Sequence, residues 1–398
     1  MEPIEQARRP HQKTILRDWW SEVKDNFWEA DAKPKVQVLV KGLMEQTLRE
    51  EIVKALREDW VEEEAPYRNG YYERSLLTQF GLIQGIHVPR LREGAFKTKV
   101  FRRYKRYQNV VEDLVEDMFL KGVSTRKVAD VVQRLLDTRI SPSAVSRITK
   151  RLDVLVRAFH QRKLLDEYQY LILDGIVLKI RHGGAYHKRT VLAAYGVTLF
   201  GKRELLDFRQ AQGESQNAWE ALLNSLYERG LKGENLKLLV MDGSAGLKVA
   251  SEIVYPEAKI QRCWVHKLRN VTDKCRKKDR EALLKGAQKI YLAQNRRQAF
   301  KHFERWKKEW QKTYPDAVHC LERDLEELLS FFDCPKEHWI KVRTTNAIER
   351  SFREVRRRTR VFSCFTNVAS SERMIYAIFA YLNQSWKGKP LKGFTQFN

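Results

Sequence analysis

The chain is poor in cysteine, in acidic residues and in unbroken apolar stretches. Five cysteines scattered over 398 residues cannot build a disulfide scaffold, so a reducing cytoplasm is the expected compartment. No apolar run approaches the roughly 18 residues of a membrane span. The amino terminus lacks the basic, apolar, small-residue order of a secretory leader. No internal repeat or low-complexity tract is visible. Hydrophobic residues at 43% and aromatics at 11% suffice for packed cores, which excludes wholesale disorder. The length suggests two or three domains. The 51 acidic residues are outnumbered by 75 basic ones, a net charge of +24, so a polyanionic partner is expected.

That charge is unevenly placed. Met1 to Glu64 holds 11 basic and 15 acidic residues, whereas Val88 to Gln108 holds 8 basic and 1 acidic, and Lys341 to Val361 holds 8 and 2. Two dense, separated patches suit a surface that follows phosphates. The first interleaves Arg102, Arg103, Lys105 and Arg106 with Phe96, Phe101, Tyr104 and Tyr107.

Periodicity divides the chain further. Residues 1–66 read as helical, and 67–109 as a turn at Tyr67–Tyr71, a hairpin over Leu76–Pro89 and the basic linker. Within 110–160, a helix runs to Leu120. Ser124 then caps a second helix to about Leu136, and Ser141-Pro142 opens a third. This is a helix-turn-helix layout. Its third helix sets Val145, Ile148 and Leu152 on one side, with Ser143, Arg147 and Lys150 on the other, a basic and small face suited to DNA. A plain helical connector is the alternative.

From 161 to 265 the pattern becomes mixed. Strands are expected at Tyr168–Arg181, Arg189–Phe200 and Glu204–Gln210. A helix at Gln216–Arg229, a strand at Leu236–Met241, a helix at Gly246–Val254 and a strand at Ala258–Val265 follow. Three strands, helix, strand, helix, strand is the element order of a ribonuclease-H-like core. Residues 266–340 read as a helical insertion, with Trp306 and Trp310 expected as a core pair, and 341–398 as the rest of the core. The fold class is thus a multi-domain α+β or α/β chain.

Phosphodiester cleavage by two divalent ions needs carboxylates gathered at one end of a sheet. Asp174 lies in the first strand of this order and Asp242 ends the fourth, and these two strands are expected to be neighbours. Each acid precedes a glycine, which leaves room for a ligand, although an Asp-Gly turn is the ordinary alternative. On the helix Asn346–Arg358, Glu349 shares a stripe with Arg353 and Arg356, beside the apolar stripe Ile348, Phe352, Val355. Glu354 lies about 140° around that helix from Glu349. Cys263 and His266 admit three readings: side chains close to the acids, zinc ligands together with Cys334 and His338, or buried core. Zinc is the less favoured. Asp207 is expected at the surface of an edge strand, and Glu214 as a charge favouring a helix N-terminus.

Four segments carry a resemblance: Leu173-Asp174-Gly-Ile-Val-Leu-Lys-Ile-Arg181, Met241-Asp242-Gly-Ser-Ala-Gly-Leu247, Gln261-Arg-Cys263-Trp-Val-His266-Lys-Leu-Arg-Asn270, and Thr344-Thr-Asn346-Ala-Ile-Glu349-Arg350. With intervals of 68 residues from Asp174 to Asp242 and 107 from Asp242 to Glu349, the chain resembles the Mutator family of transposases, in its bacterial insertion-sequence branch. Tyr67–Arg74, Val88–Arg90 and Leu120–Arg126 extend the likeness over about residues 40–385.

The resemblance implies a DDE recombinase in which Asp174, Asp242 and Glu349 hold two Mg²⁺ or Mn²⁺ ions. It implies hydrolytic nicking at an element end, then attack of the freed 3′-OH on DNA, with no ATP. Cys263, His266, Asn346 and Arg350 are expected close to that chemistry. Arg102, Arg103, Lys105, Arg106, Ser143, Arg147, Lys150, Arg353, Arg356, Arg357 and Arg358 are expected on double-stranded DNA. Synapsis of two ends implies a homodimer or larger assembly. A catalytically silent DNA-binding regulator and a metal-dependent nuclease are the competing functions.

Overall fold

The computed structural model describes residues 32–58, 68–92, 98–100, 106–182, 185–360, 365 and 367–394. They form two compact units, one of the described residues up to Phe119 with Ser124–Thr149, the other of Leu120–Val123 with Lys150 onward.

In the first unit a helix, α1 (Lys33–Glu58), precedes a hairpin of β1 (Arg68–Thr78) and β2 (Gly81–Leu91). The hairpin is longer than the sequence suggested. Its first strand begins where a turn was expected, because a bulge between Arg68 and Tyr71 absorbs the irregular segment within the ladder. Leu48 of α1 closes a small core over Leu76, Ile83, Ile86 and Val88.

Three helices follow: α2 (Asn109–Leu120), α3 (Thr125–Leu136) and α4 (Pro142–Ile148). Their starts are set by side chains. Ser124 accepts the Lys127 N–H at 3.4 Å and Ser141 accepts the Ala144 N–H at 3.1 Å. Each satisfies a helix donor that otherwise has no partner. Val115, Phe119, Val128, Val132, Val145 and Ile148 are buried. The third helix is shorter than expected. It stops at Ile148, passes through the 3₁₀ turn Thr149–Arg151, and a separate helix, α5 (Leu152–Gln161), begins the second unit.

The second unit is built on one mixed sheet. Its strands are β3 (Tyr168–His182), β4 (Ala185–Thr198), β5 (Arg203–Ala211), β6 (Leu238–Met241) and β7 (Lys259–Arg262), in the spatial order β5-β4-β3-β6-β7. β3, β4 and β5 pair antiparallel, whereas β3–β6 and β6–β7 are parallel. The parallel pairs need crossovers, supplied by α6 (Gln216–Glu228) and α7 (Ala245–Val254). Leu171, Leu173, Leu239 and Met241 alternate onto the face that packs on Trp219, Leu222, Leu223 and Leu226 of α6 and Leu247 and Ala250 of α7.

Past β7 come α8 (Trp264–Thr272), α9 (Arg280–Tyr291), α10 (Arg296–Trp310) and α11 (Pro315–Glu322), with shorter turns up to Val342. Trp306 is buried and donates to the Leu283 carbonyl at 3.0 Å, while Trp310 stacks on Tyr314. The two tryptophans thus take separate neighbours. α12 (Asn346–Thr359) then packs on β3 and β4, and α13 (Val368–Trp386) on β5. Among the described residues no helix is long and apolar enough to cross a membrane.

Asp207 corrects a sequence expectation. It sits on the outermost strand yet is buried, because α5 and α13 cover that edge. Its carboxylate accepts from Arg229 Nη2 at 2.5 Å and from the Phe208 N–H at 2.8 Å, and contacts His160 Nδ1 at 2.6 Å. Removing one partner of a buried pair costs about 3 kcal/mol or more, and each kcal/mol moves the melting temperature of a unit this size by roughly 2–4 °C. Asp207→Asn is therefore expected to lower the circular-dichroism melting temperature by about 6–12 °C. An unchanged melt would show that Arg229 finds solvent or another acceptor.

Candidate active site

The register of the sheet brings the first two acids together. Ile172 of β3 pairs with Val240 of β6 in a parallel ladder, so Asp174 and Asp242 each stand two residues beyond the same paired couple. Alternation turns them away from the leucine face and toward the side on which α12 packs. Asp174 Oδ1 accepts its neighbour Gly175 N–H at 2.8 Å, and Asp242 Oδ1 accepts the Ser244 N–H at 2.9 Å. The next strand continues the row: Met241 pairs with Arg262, and the Cys263 N–H donates to the Met241 carbonyl at 2.7 Å.

Glu349 reaches this edge through the segment that leads into α12. The Trp264 N–H donates to the Arg343 carbonyl at 3.1 Å, and the Thr345 N–H lies 3.3 Å from Cys263 Sγ. Thr345 is completely buried, and its hydroxyl donates to Glu349 Oε1 at 2.8 Å. The carboxylate is thereby aimed from the helix start. Nothing in the sequence marked Thr345 beyond its place before the helix, since its partner Cys263 is 82 residues away. His266 Nε2 stands 3.9 Å from Glu349 Oε1, and its Nδ1 is buried with no hydrogen-bond partner among the described residues.

The electrostatics follow from crowding. Burial lifts the Asp174 carboxyl to about 7, against the Gly175 N–H and His266, while Asp242 and Glu349 push it further up. The Cys263 sulfur, then Asp174 and Glu349, hold the His266 imidazole up at about 9 despite its burial. Against its own burial, the Cys263 thiol is pulled down by His266 and Thr345. Burial, and then Asp242, raise the Glu214 carboxyl.

Both glycines expected to leave room for a ligand face a protein side chain instead. A Cβ on Gly175 would stand 2.6 Å from Glu214 Oε1, and one on Gly243 2.5 Å from Arg262 Nη1. Gly243 also has φ +97°, a conformation open to glycine and costly for other residues. Arg262 is held there by Asp324 at 3.0 Å and Glu327 at 2.5 Å, both from the helical segment.

Carboxylate oxygens are the donors a hard divalent ion prefers. Among the described residues, the ligand atoms that gather within 4.8 Å of one another are those of Cys263, His266 and Glu349. Cys334 and His338 do not join them. His338 is buried, bonded to the Tyr170 hydroxyl at 2.8 Å and stacked on Phe394.

The basic residues divide. On α12, Arg350, Arg353 and Arg356 are exposed, as is Asn346 at its start. Arg357 is exposed but bonded to Glu354 at 2.7 and 2.8 Å. Arg358, expected on DNA, is buried instead. It donates to Glu354 and to the Leu120 carbonyl, each at 2.6 Å, and lies 4.5 Å from the Tyr381 ring centroid. Arg357 first, then Arg358, draw the Glu354 carboxyl down to about 2, so this acid is occupied as an ion-pair partner. Arg106, Ser143, Arg147 and Lys150 are exposed, while Arg102, Arg103 and Lys105 lie outside the described residues.

Residues 18–389 match the transposase family called Mutator, and the chain belongs to that family. It is 35% identical over 351 residues, 87% of each chain, to the transposase for insertion sequence element ISRM5 of Rhizobium meliloti. It is 31% identical over 359 residues, 89% of this chain and 91% of the relative, to the transposase for insertion sequence element IS256 in transposon Tn4001 of Staphylococcus aureus. The transposase for IS1201 of Lactobacillus helveticus is 36% identical over 292 residues, 73% of this chain and 78% of the relative.

Proposed function

We propose that the protein is an insertion-sequence transposase of DDE type that nicks DNA at element ends and joins the freed 3′-OH to target DNA. Asp174, Asp242 and Glu349 are its catalytic acids, on a ribonuclease-H-like core. The observation that carries this reading is the shared register of Asp174, within β3, and Asp242, just past the end of β6, each two residues beyond the same paired couple of these parallel strands, with Glu349 held by Thr345 in the same electrostatic neighbourhood.

These three carboxylates would hold two Mg²⁺ or Mn²⁺ ions, which when bound lower the pKa of an attacking water and offset charge on the phosphate. The chain's own residues do the placing. Thr345 fixes the Glu349 rotamer, and the Gly175 and Ser244 N–H groups orient the two aspartates. Arg350, Arg353 and Arg356 present exposed charge beside Glu349 for the DNA backbone. The layout of α2, α3 and α4 serves as a helix-turn-helix that reads terminal inverted repeats, with Ser143 and Arg147 on its exposed side. Two ends need two positioned sites, so the working form is a homodimer or larger, and transesterification needs no ATP.

The test is a nicking and strand-transfer assay on inverted-repeat DNA. Mg²⁺-dependent nicks and joined products from a preformed 3′-OH are expected. Cuts without joining would make the protein a nuclease, and binding without cuts a regulator. A second reading rests on the Cys263, His266 and Glu349 group, whose thiol and imidazole suit zinc. Stoichiometric zinc in chelator-washed protein would favour it.

Charge gives a further expected outcome. If about six of the exposed cations meet phosphates, log affinity should fall with log salt at a slope near −5, roughly a thousandfold loss between 50 and 200 mM salt. A flat response in a fluorescence-anisotropy titration would mean the basic excess does not touch DNA.

A further inference from the structure

We infer that Glu214 is a fourth carboxylate of the catalytic edge, facing the cation site formed by Asp174, Asp242 and Glu349; this rests on the metal-dependent reading above. Sequence places Glu214 just before α6, where an acid ordinarily serves the helix start. The helix does not use it. Ser215 is the cap and accepts the Ala218 N–H at 3.3 Å.

Glu214 instead lies against Gly175 within β3, near Asp242 just past the end of β6. Its carboxylate fills the space beside Gly175, with Oε1 2.6 Å and Cδ 3.1 Å from where a Cβ would be. Its backbone carbonyl is 3.2 Å from the corresponding position on Gly246, in the first turn of the helix that follows Asp242. Any side chain at 175 would therefore displace Glu214, so the glycine beside the first catalytic acid makes room for another acid. The Glu214 carboxylate is half-buried and has no hydrogen bond or ion pair among the described residues. Asp242 and His266 are close enough for their charges to act on it.

A half-buried carboxylate next to other carboxylates is unfavourable unless something positive shares the space. His266 is already shared by Asp174 and Glu349. A divalent ion, reached directly or through one of its bound waters, supplies the missing charge. Glu214 then acts as an outer partner of the ions, of the kind whose loss weakens metal affinity about 10- to 100-fold.

The experiment is calorimetric titration of Mn²⁺ into the full-length protein, with melting temperature and DNA affinity recorded alongside. Glu214→Gln keeps the shape and removes the charge. It is expected to weaken Mn²⁺ binding by about tenfold or more, with little change in the apo melt or in DNA affinity. Gly175→Ala, which evicts the carboxylate, is expected to do the same. Nicking by Glu214→Gln is expected to recover at raised Mg²⁺, whereas Asp242→Asn stays inactive. If wild-type protein binds no Mn²⁺, or Asp242→Asn binds it as well as wild type, the metal reading itself falls. If Asp242→Asn abolishes binding while Glu214→Gln leaves it untouched, the inference about Glu214 alone is overturned.

Discussion

Asp242→Asn is expected to reduce Mg²⁺-dependent nicking by about a thousandfold or more, because metal-assisted charge stabilisation contributes several kcal/mol and each 1.4 kcal/mol is tenfold. Asp174→Asn and Glu349→Gln should show the same loss. Groups that act as a unit are strongly non-additive, so a double variant should be no slower than either single one. Binding of inverted-repeat DNA, read by anisotropy, should stay near wild type, since none of the three lies in α2, α3 or α4, the helices proposed to read DNA. Glu354→Gln is the contrast. That acid is engaged by Arg357 and Arg358, and its loss should affect the melt more than the cut. Full activity in Glu349→Gln would remove Glu349 from the triad.

The second large effect concerns the helical segment. Asp324 is buried and pairs with Lys267, itself 3% exposed, and with Arg262 at 3.0 Å. Asp324→Ala would strand the buried Lys267 cation, while Arg262 keeps Glu327 at 2.5 Å. Uncompensated buried charge costs about 3–5 kcal/mol, or roughly 6–20 °C in melting temperature at 2–4 °C per kcal/mol. Arg262 also lies against Gly243, beside Asp242. Nicking should therefore decline at temperatures where circular dichroism still reports folded protein. Loss of activity that tracks unfolding alone would show that Arg262 does not position Asp242.

How far these features were legible depends on the range of the interaction that creates them. The strands around Asp174 and Asp242 were readable because Leu171 to Leu173 and Leu238 to Met241 are continuous apolar runs. The starts of α3 and α4 were readable because Ser124 and Ser141 bond to amides three residues on. The misreadings involve distant partners. Arg358 falls at the right spacing for a DNA contact, yet its burial comes from a carbonyl 238 residues away. Asp207 looks like an edge residue until α5 and α13 cover it. Thr345 meets Cys263, and Glu214 meets Gly175, only because the fold brings these distant positions together.

The 107-residue interval between Asp242 and Glu349 also has a consequence in time. Translation proceeds at about 5–20 residues per second, so Glu349 leaves the peptidyl-transferase centre roughly 9–35 s after Asp174, which precedes it by 175 residues. All residues of the first compact unit precede Asp174 in the chain. A nascent polypeptide therefore has its first unit synthesised, and two of the three proposed catalytic acids, well before Glu349 is added. Any message cut short inside the helical segment yields a chain that keeps the first unit and lacks Glu349.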